Sequence, residues 1–389
     1  MKEKQVPMTT YLDNAASSCP KPPGVVEAVD ECLRLYCANP GRGAHRTAVG
    51  AARIIHRTRQ KAATFLGVSD SANIIFTQNA TDSLNIALHG FLSSGDHVVT
   101  SVVEHNAVAR PLLVLAKHGV KVTYVGTDAT GRVDPGDILS AIRPETRLVV
   151  LTHASNITGA IQPIQEINSA LMEKGVPLLL DAAQSAGTLQ LDMKSLPVGM
   201  MACTGHKSLL GPQGVGLLYI SPGLELASVR QGGTGTHSDE EQDALARPDR
   251  YECGTLNTPG IAGLGAGIAY IEEKGLAQIT AHKNGLTAGL HEGLLEMDNV
   301  SVYGPGVGEA RGPLVTFNVG DMPSSEVAGI LDREYDIASR AGLHCAPGAH
   351  RVMGTHERGA VRLSVGLFNT SDDIESALDA VGKIASSRQ

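Results

Sequence analysis

Short apolar runs alternate with longer amphipathic segments along most of the chain. Runs of this length, rich in valine, isoleucine and leucine, are typical of buried strands. They predict strands at residues 73–76, 97–101, 121–125, 147–151, 178–180, 200–203 and 217–220. Helical periodicity occupies residues 25–36, begins again at about residue 84, and recurs at 164–174. Alternation of strands and helices predicts an α/β fold with a mostly parallel sheet covered by helices.

The pattern changes in the last third of the chain. From about Gly275 it predicts a helix, a strand at residues 314–319 and a helix at 324–332, which together indicate a smaller α/β domain. The length of 389 residues, 42% of them hydrophobic, is ample for two closely joined domains.

Two predicted strands end in ionisable side chains. The run 178–180 ends at Asp181, and the run 200–203 leads into Thr204-Gly-His-Lys207. Open α/β sheets bind ligands at the carboxyl ends of their strands. A buried ion pair would explain Asp181 and Lys207, but it leaves the polar residues Gln184 and His206 unexplained. Pyridoxal 5'-phosphate (PLP) requires both groups: a lysine amine that bonds to its aldehyde, and an acid beside its ring nitrogen.

Composition excludes several classes of function. The formal net charge is −8, with no basic tract of the kind that binds nucleic acid. No apolar run reaches membrane length and no leader pattern follows the charged first residues, so we expect a cytoplasmic protein without a membrane interaction. The six cysteines include no CxxC pair, so no metal site is predicted and free thiols are expected.

The motifs, taken in order, resemble one family. The resemblance extends from YLDNAAS at Tyr11 to VRLSVGLFNT ending at Thr370. The sequence is similar to the class V aminotransferase group of fold-type I PLP enzymes, and within it to the cysteine desulfurases and selenocysteine lyases. This resemblance implies a large PLP-binding domain at residues 15–260. It implies a smaller domain, built from residues 1–14 and 261–389, that carries the reactive cysteine and the substrate arginine.

The resemblance assigns the cofactor PLP to a defined set of residues. Lys207 would bond to the aldehyde, Asp181 would face the ring nitrogen, and His105 of an E-H-x-A motif would stack on the ring. Gln184 and Asn156 would lie near the ring oxygen. The phosphate would be held by residues at strand and helix ends, namely Ala80, Thr81, Thr204, His206 and Thr255. Because the family's equivalent of Thr255 reaches the phosphate of the other subunit, the resemblance implies a homodimer.

The predicted phosphate site also has an explanation from the residues alone. A strand, a polar turn and a helix start place free backbone N–H groups where an anion can sit. Thr81 or Asp82 could equally be a helix cap, and such caps are common.

Two further motifs suggest how a substrate is bound and attacked. Cys345 lies in a loop bounded by glycine and proline, next to His344 and near Arg340, and cationic neighbours favour a thiolate. An inert loop cysteine would be the default. The R-x-G-x-H-C-A pattern, however, matches the second group of cysteine desulfurases, in which this cysteine forms a persulfide.

Arginine supplies the expected substrate clamp. Arg362 follows the cysteine loop on a predicted strand, and a planar guanidinium can hold a carboxylate through two hydrogen bonds. The family places its substrate arginine in this motif. Arg42 and His45 belong to an RGxH segment that lies near the substrate in the family, although a surface turn would explain them as well.

These residues predict a PLP-dependent cysteine desulfurase. It would convert L-cysteine to L-alanine and pass the sulfur from Cys345 to an acceptor protein. A selenocysteine lyase acting on L-selenocysteine, or another β-eliminating enzyme, would share the same motifs. A non-catalytic binding module is disfavoured because Lys207, Asp181 and Cys345 are all present. Leu256 and Leu343 depart from the usual family patterns, and they leave the choice of substrate open.

Overall fold

The computed structural model describes residues 10–41, 43–234, 239–241 and 244–387. The helices are α1 (Pro23–Leu35), α2 (Arg46–Phe65), α3 (Ala80–Phe91), α4 (Asn106–Lys117), α5 (Pro135–Ser140), α6 (Ile164–Glu173), α7 (Thr258–Lys274), α8 (Leu276–Leu295), α9 (Ser324–Tyr335), α10 (Pro347–Val352) and α11 (Ser371–Ser386). The strands are β1 (Thr10–Tyr11), β2 (Ile74–Thr77), β3 (His97–Ser101), β4 (Lys121–Val125), β5 (Thr146–Thr152), β6 (Leu178–Asp181), β7 (Met200–Thr204), β8 (Gly216–Ile220), β9 (Val300–Tyr303), β10 (Leu314–Val319), β11 (Ile337–Ala338), β12 (Arg340–Gly342) and β13 (Ala360–Ser364).

The larger sheet has seven strands in the order β2-β8-β7-β6-β5-β3-β4. The five consecutive strands β7, β6, β5, β3 and β4 pair in parallel with one another. Strand β8 runs antiparallel to both of its neighbours, β7 and β2. Its side chains enter two separate cores: Leu178 and Leu180 pack on one face and Leu179 on the other. Burial on both faces explains why these strands are continuous apolar runs. The predicted mostly parallel, helix-covered sheet is confirmed.

One helix boundary differs from the prediction. Helix α3 begins at Ala80 rather than at about residue 84, because Asn79 caps it by accepting a hydrogen bond of 2.9 Å from the Asp82 N–H. Neither Thr81 nor Asp82 is the cap, so that reading of the turn was wrong. The first turn is polar, and it therefore carried no apolar periodicity from which the helix start could be recognised.

The smaller sheet is antiparallel, in the order β12-β13-β10-β9. Helices α8, α9 and α11 supply apolar side chains such as Leu290, Val327 and Val381 to its core. Strand β1 pairs in parallel with β11, so the start of the described chain joins this C-terminal part.

The domain boundaries themselves stay a prediction. Helix α7 begins near the expected division at residues 260 and 261, and its side chains Ile261, Leu264 and Ile268 pack in a core of the larger sheet. None of the described helices combines the length and apolarity needed to cross a membrane.

Candidate active site

The carboxyl ends of three adjacent parallel strands meet at one edge of the larger sheet. Strand β6 ends at Asp181, β7 ends at Thr204, and β5 ends at Thr152, which pairs directly with Asp181. A cavity of about 310 Å³ opens at this edge. Most of the residues predicted for the site line it: Ala80, Thr81, His105, Asn156, Asp181, Gln184, Thr204, His206, Lys207, Cys345 and Arg362.

Lys207 and Asp181 form the electrostatic centre of the cavity. Burial lowers the pKa of Lys207 to about 8, although the charge of Asp181 acts in the opposite direction. Burial raises the pKa of Asp181, while a hydrogen bond of 3.0 Å from the Ala183 N–H and the charge of Lys207 favour the carboxylate. The arrangement places a readily deprotonated amine and an acid in one enclosed volume.

His105 is held as a neutral ring in this cavity. Its Nδ1 accepts a hydrogen bond of 3.0 Å from the Ala107 N–H and so caps α4. The proton of the neutral imidazole must therefore be on Nε2. Burial lowers the pKa of His105 to about 4, with a smaller contribution from the charge of Lys207. A neutral, fixed ring suits stacking against a flat ligand.

One end of the cavity is suited to an anion. Helix α3 begins at Ala80, and the backbone N–H groups of a first helical turn lack partners within the helix. Thr204 Oγ1 and His206 Nδ1 are buried without a hydrogen-bond partner among the described residues. Because buried polar atoms are normally satisfied, these two donor or acceptor atoms indicate a ligand position.

Arg362 enters the cavity from the smaller sheet, and its side chain is 1% exposed. Its Nη1 donates to the Asn156 carbonyl at 2.9 Å, and its Nη2 forms an ion pair of 2.7 Å with Asp13. Its Nε is buried without a hydrogen-bond partner among the described residues. Arg340 lies directly opposite Arg362 in the β12–β13 pairing and lines the same cavity.

Cys345 lies on the loop between β12 and α10, and its side chain is exposed. His344 and Cys345 both adopt left-handed backbone conformations, with φ of 49° and 60°. Non-glycine residues rarely adopt this conformation, so neighbouring contacts must hold the loop. The Cys345 carbonyl accepts a hydrogen bond of 2.8 Å from the Asn106 N–H. The His344 carbonyl accepts one of 2.9 Å from Asn156 Nδ2.

The two amide side chains predicted near the cofactor's ring oxygen are bonded to the protein itself. Asn156 is engaged with the cysteine loop, and Gln184 Nε2 donates to the Ala15 carbonyl at 3.0 Å. Each amide therefore connects the cavity wall to a segment distant in sequence.

Two of the predicted residues that the structure describes, Thr255 and His45, lie outside this group. Thr255 lines a second cavity of about 550 Å³ that Lys207 does not line, and its Oγ1 accepts a hydrogen bond of 3.1 Å from Asn39. His45 caps α2 through a hydrogen bond of 3.4 Å from the Ala48 N–H, and it does not line the Lys207 cavity. Arg42 lies outside the described residues.

Sequence reasoning did not assign a role to Glu104, which precedes His105. Its side chain accepts a hydrogen bond of 2.9 Å from the Thr152 N–H and lies 2.6 Å from Ser101 Oγ. It therefore joins the carboxyl ends of β3 and β5. Burial raises its pKa to about 8. The glutamate of the E-H-x-A motif was the signal that could have identified this residue. Arg340, which lines the cavity, was named from the sequence only as a cation near Cys345.

Comparison with known proteins identifies the same family that the sequence motifs resemble. A family model described as "Aminotransferase class-V" matches residues 10–377. A protein of Methanothermobacter thermautotrophicus named a probable cysteine desulfurase is 38% identical over 382 residues, which cover 96% of this chain and 94% of that protein. A cysteine desulfurase of Haloferax volcanii is 30% identical, with 95% of this chain and 88% of that protein covered.

The fold of this chain is also similar to that of solved structures. The apo structure of the cysteine desulfurase from Thermococcus onnurineus NA1 superposes with a TM-score of 0.91 at 34% identity, covering 97% of this chain and 95% of that one. These matches confirm the predicted fold-type I architecture and the resemblance to cysteine desulfurases. The chain therefore belongs to the class-V aminotransferase family.

Proposed function

We propose that this protein is a cysteine desulfurase that uses PLP, converts L-cysteine to L-alanine, and leaves the sulfur as a persulfide on Cys345. The observation that carries the proposal is the single cavity in which Lys207, Asp181, Arg362 and Cys345 meet. A plain aminotransferase has no use for a thiol at this position. The names of the relatives agree with this proposal.

The residues of the cavity fit PLP. The free atoms Thr204 Oγ1 and His206 Nδ1, with the first turn of α3, suit its phosphate. Asp181 suits the protonated ring nitrogen, His105 suits the ring face, and Lys207 suits the aldehyde. When bound, PLP supplies an electron sink that makes the Cα proton of an amino acid acidic.

Lys207 is the residue proposed to move that proton. An amine whose pKa is about 8 is neutral in about a tenth of molecules at pH 7, against well under a thousandth for an ordinary lysine. The pKa of Lys207 is lowered because the amine is buried, and burial disfavours its charged form. Lys207 would take the proton from Cα. After the C–S bond has broken, alanine requires one proton on Cβ and one returned to Cα, and Lys207 would supply the proton that returns to Cα.

Arg362 is proposed to hold the substrate carboxylate. Its Nε is free of hydrogen bonds within the described chain, and its Nη2 is held by Asp13, whose carboxylate a substrate carboxylate can replace. Arg340 on the neighbouring strand adds a second positive charge at the same wall. Two guanidinium groups would therefore select substrates with a carboxylate on Cα.

Cys345 is proposed to receive the sulfur. Its thiolate attacks the substrate sulfur, and an S–S bond forms as the C–S bond breaks. The electron pair of the C–S bond remains on Cβ, which is then protonated to give the methyl group of alanine. L-Cysteine and a thiol thus become alanine and a persulfide, without an external oxidant or reductant. The exposed position of Cys345 suits onward transfer to an acceptor protein.

We further propose a cytoplasmic homodimer. Thr255 lines a cavity separate from that of Lys207, so a contact between Thr255 and the phosphate requires a second copy of the chain. All six cysteines are free, as expected of a reducing compartment.

The test is alanine release by the PLP-loaded protein from L-cysteine and, separately, from L-selenocysteine. We expect Cys345→Ala to abolish release from L-cysteine, whereas Cys37→Ala, which removes another exposed thiol, leaves it unchanged. Release only from L-selenocysteine, unaffected by Cys345→Ala, would instead establish a selenocysteine lyase. Release from neither substrate would contradict both activities.

A further inference from the structure

Two buried histidine rings lie edge to edge directly behind the Cys345 loop. The rings of His344 and His350 are nearly parallel, with an interplanar angle of 6° and centroids 5.5 Å apart. Both side chains are almost fully buried, at 4% and 0% exposure, and so is Thr355 at 1%. Aliphatic side chains could fill this space without burying polar atoms, so packing alone does not account for these residues.

The polar atoms of these residues form a continuous chain of hydrogen bonds. His344 Nε2 lies 3.2 Å from the Arg340 carbonyl, and His344 Nδ1 lies 3.3 Å from His350 Nε2. His350 Nδ1 lies 2.8 Å from Thr355 Oγ1. The four groups therefore connect the first residue of β12 to the segment after α10.

The Arg340 carbonyl fixes the direction of the chain. A carbonyl can only accept, so His344 Nε2 must carry the proton and His344 Nδ1 must accept. His350 Nε2 is then the donor to His344, which leaves His350 Nδ1 to accept from the Thr355 hydroxyl. Burial lowers the pKa of His344 to about 3 and that of His350 to about 4, in agreement with two neutral rings.

This chain of hydrogen bonds fixes the side chain of His344, the residue that precedes the reactive Cys345. His344 and Cys345 both have positive φ, a conformation that side chains disfavour. The main-chain carbonyls of His344 and Cys345 accept hydrogen bonds from Asn156 and Asn106 respectively. Among the described residues, the hydrogen bonds of the His344 ring are only those to the Arg340 carbonyl and to His350 Nε2. Loss of the donor on His350 would leave His344 Nδ1 buried and unsatisfied, and the ring would be free to leave its position.

We propose that His350 is a positioning residue for Cys345, which acts through His344 to keep the cysteine loop in its left-handed conformation. Its effect on catalysis rests on the desulfurase function proposed above, whereas its effect on the loop does not. Thr355 donates to His350 Nδ1 and so fixes the tautomer in which His350 Nε2 carries the proton. The thiol would thereby meet the substrate sulfur in one orientation rather than in many.

The experiment compares His350→Phe with His350→Gln in the PLP-loaded protein. Phenylalanine keeps a planar ring and removes the donor, whereas glutamine places an amide N–H near the position of Nε2. The readouts are kcat and KM for alanine formation from L-cysteine, and hydrogen–deuterium exchange of peptides covering residues 339–352. His291→Phe, which alters a buried histidine of α8 outside the Lys207 cavity, is the matched control.

We expect His350→Phe to lower kcat about tenfold with KM nearly unchanged, and to accelerate exchange in the loop peptides by a similar factor. His350→Gln and His291→Phe should stay near wild type in both readouts. Equal loop exchange in His350→Phe and wild type would overturn the proposal, as would equal damage by phenylalanine and glutamine.

The experiment distinguishes failure of the proposed function from failure of the proposed role of His350. If the wild type forms no alanine from L-cysteine, the proposed function fails, and loop exchange alone decides the role of His350. If His350→Phe does not fold, Thr355→Val and Thr355→Ser replace it, because valine removes the hydroxyl at nearly constant volume. Faster loop exchange in the valine variant alone would support the proposal, and identical exchange in both would overturn it.

Discussion

Asn156 Nδ2 donates a hydrogen bond of 2.9 Å to the carbonyl of His344. The main-chain carbonyl of Asn156 accepts from Arg362 Nη1 at the same distance. One residue thus contacts both the proposed carboxylate clamp and the loop of the proposed nucleophile. The cavity wall is therefore connected, and a change at one proposed catalytic group reaches the other through Asn156.

The first prediction concerns this link. Asn156→Asp replaces a donor by a carboxylate that faces the His344 carbonyl, so repulsion should displace the cysteine loop. We expect alanine formation from L-cysteine to fall about a hundredfold, with faster hydrogen exchange at residues 343–346. Asn168→Asp, on α6, is the control, because the Asn168 amide contacts Met172 and the Pro197 carbonyl instead. Unchanged loop exchange in Asn156→Asp would refute the link.

The second prediction concerns Arg362. Arg362→Lys keeps a positive charge but loses the planar fork and leaves the Asn156 carbonyl or Asp13 without its partner. We expect kcat/KM for L-cysteine to fall at least about a hundredfold, mostly through KM, since charge-assisted pairs contribute several kcal/mol at buried sites. Arg358→Lys, near the surface beside Asp321, should change nothing. A wild-type KM in Arg362→Lys would remove Arg362 from the substrate site.

The ends of the strands were predicted well from the sequence because ionisable side chains interrupt the apolar pattern there. Asp181 and Lys207 follow buried apolar runs, and an ion pair between them would not have explained the polar residues Gln184 and His206 beside them. Two contacts between segments distant in the chain were not predicted from the sequence. Glu104 connects the carboxyl ends of β3 and β5 through side-chain hydrogen bonds, and Arg340 faces Arg362 through the pairing of β12 with β13. Local periodicity carries no information about such pairing.

Helix caps are a second feature that the sequence did not resolve. His45 was predicted near the substrate, which stays a prediction, and the structure adds that its Nδ1 accepts from the Ala48 N–H and so caps α2. A histidine before a helix satisfies the same residue pattern in either role, and only the position of the helix decides between them. Asn79 was overlooked for the same reason, since several polar residues in its turn could have capped α3.

The third prediction concerns the pH dependence of cofactor loading. Lys207 must be a neutral amine to react with the aldehyde of PLP, and its pKa is lowered to about 8 by burial. As the pH falls below 8 the amine becomes protonated, so the rate of loading of the apo protein should drop by about tenfold per pH unit. Above pH 8 the rate should level off.

The measurement is the absorbance change on mixing apo protein with PLP between pH 6 and pH 10. A small peptide with an exposed lysine is the reference, because its rate should keep rising to about pH 10. A protein profile that rises in parallel with the peptide would contradict the lowered pKa.

The last prediction concerns Glu104, whose pKa is raised to about 8 by burial. A carboxyl that titrates higher in the folded than in the unfolded state contributes stability that is fully present below the unfolded pKa, near 4.5. That contribution is lost as the pH rises towards 8, because the unfolded state then ionises while the folded state keeps its proton. Glu104→Gln cannot ionise, and its amide can still accept from the Thr152 N–H and donate to Ser101 Oγ.

The unfolding equilibrium constant of the wild type should therefore rise relative to that of Glu104→Gln by up to about tenfold per pH unit between pH 5 and pH 8. Urea unfolding of both proteins across this range measures the difference, with Glu145→Gln at an exposed position as the control. Parallel stability curves for wild type and Glu104→Gln would show that Glu104 is ionised in the folded protein. Its charge would then add to that of Asp181, and two buried carboxylates instead of one would act on the proposed ring nitrogen.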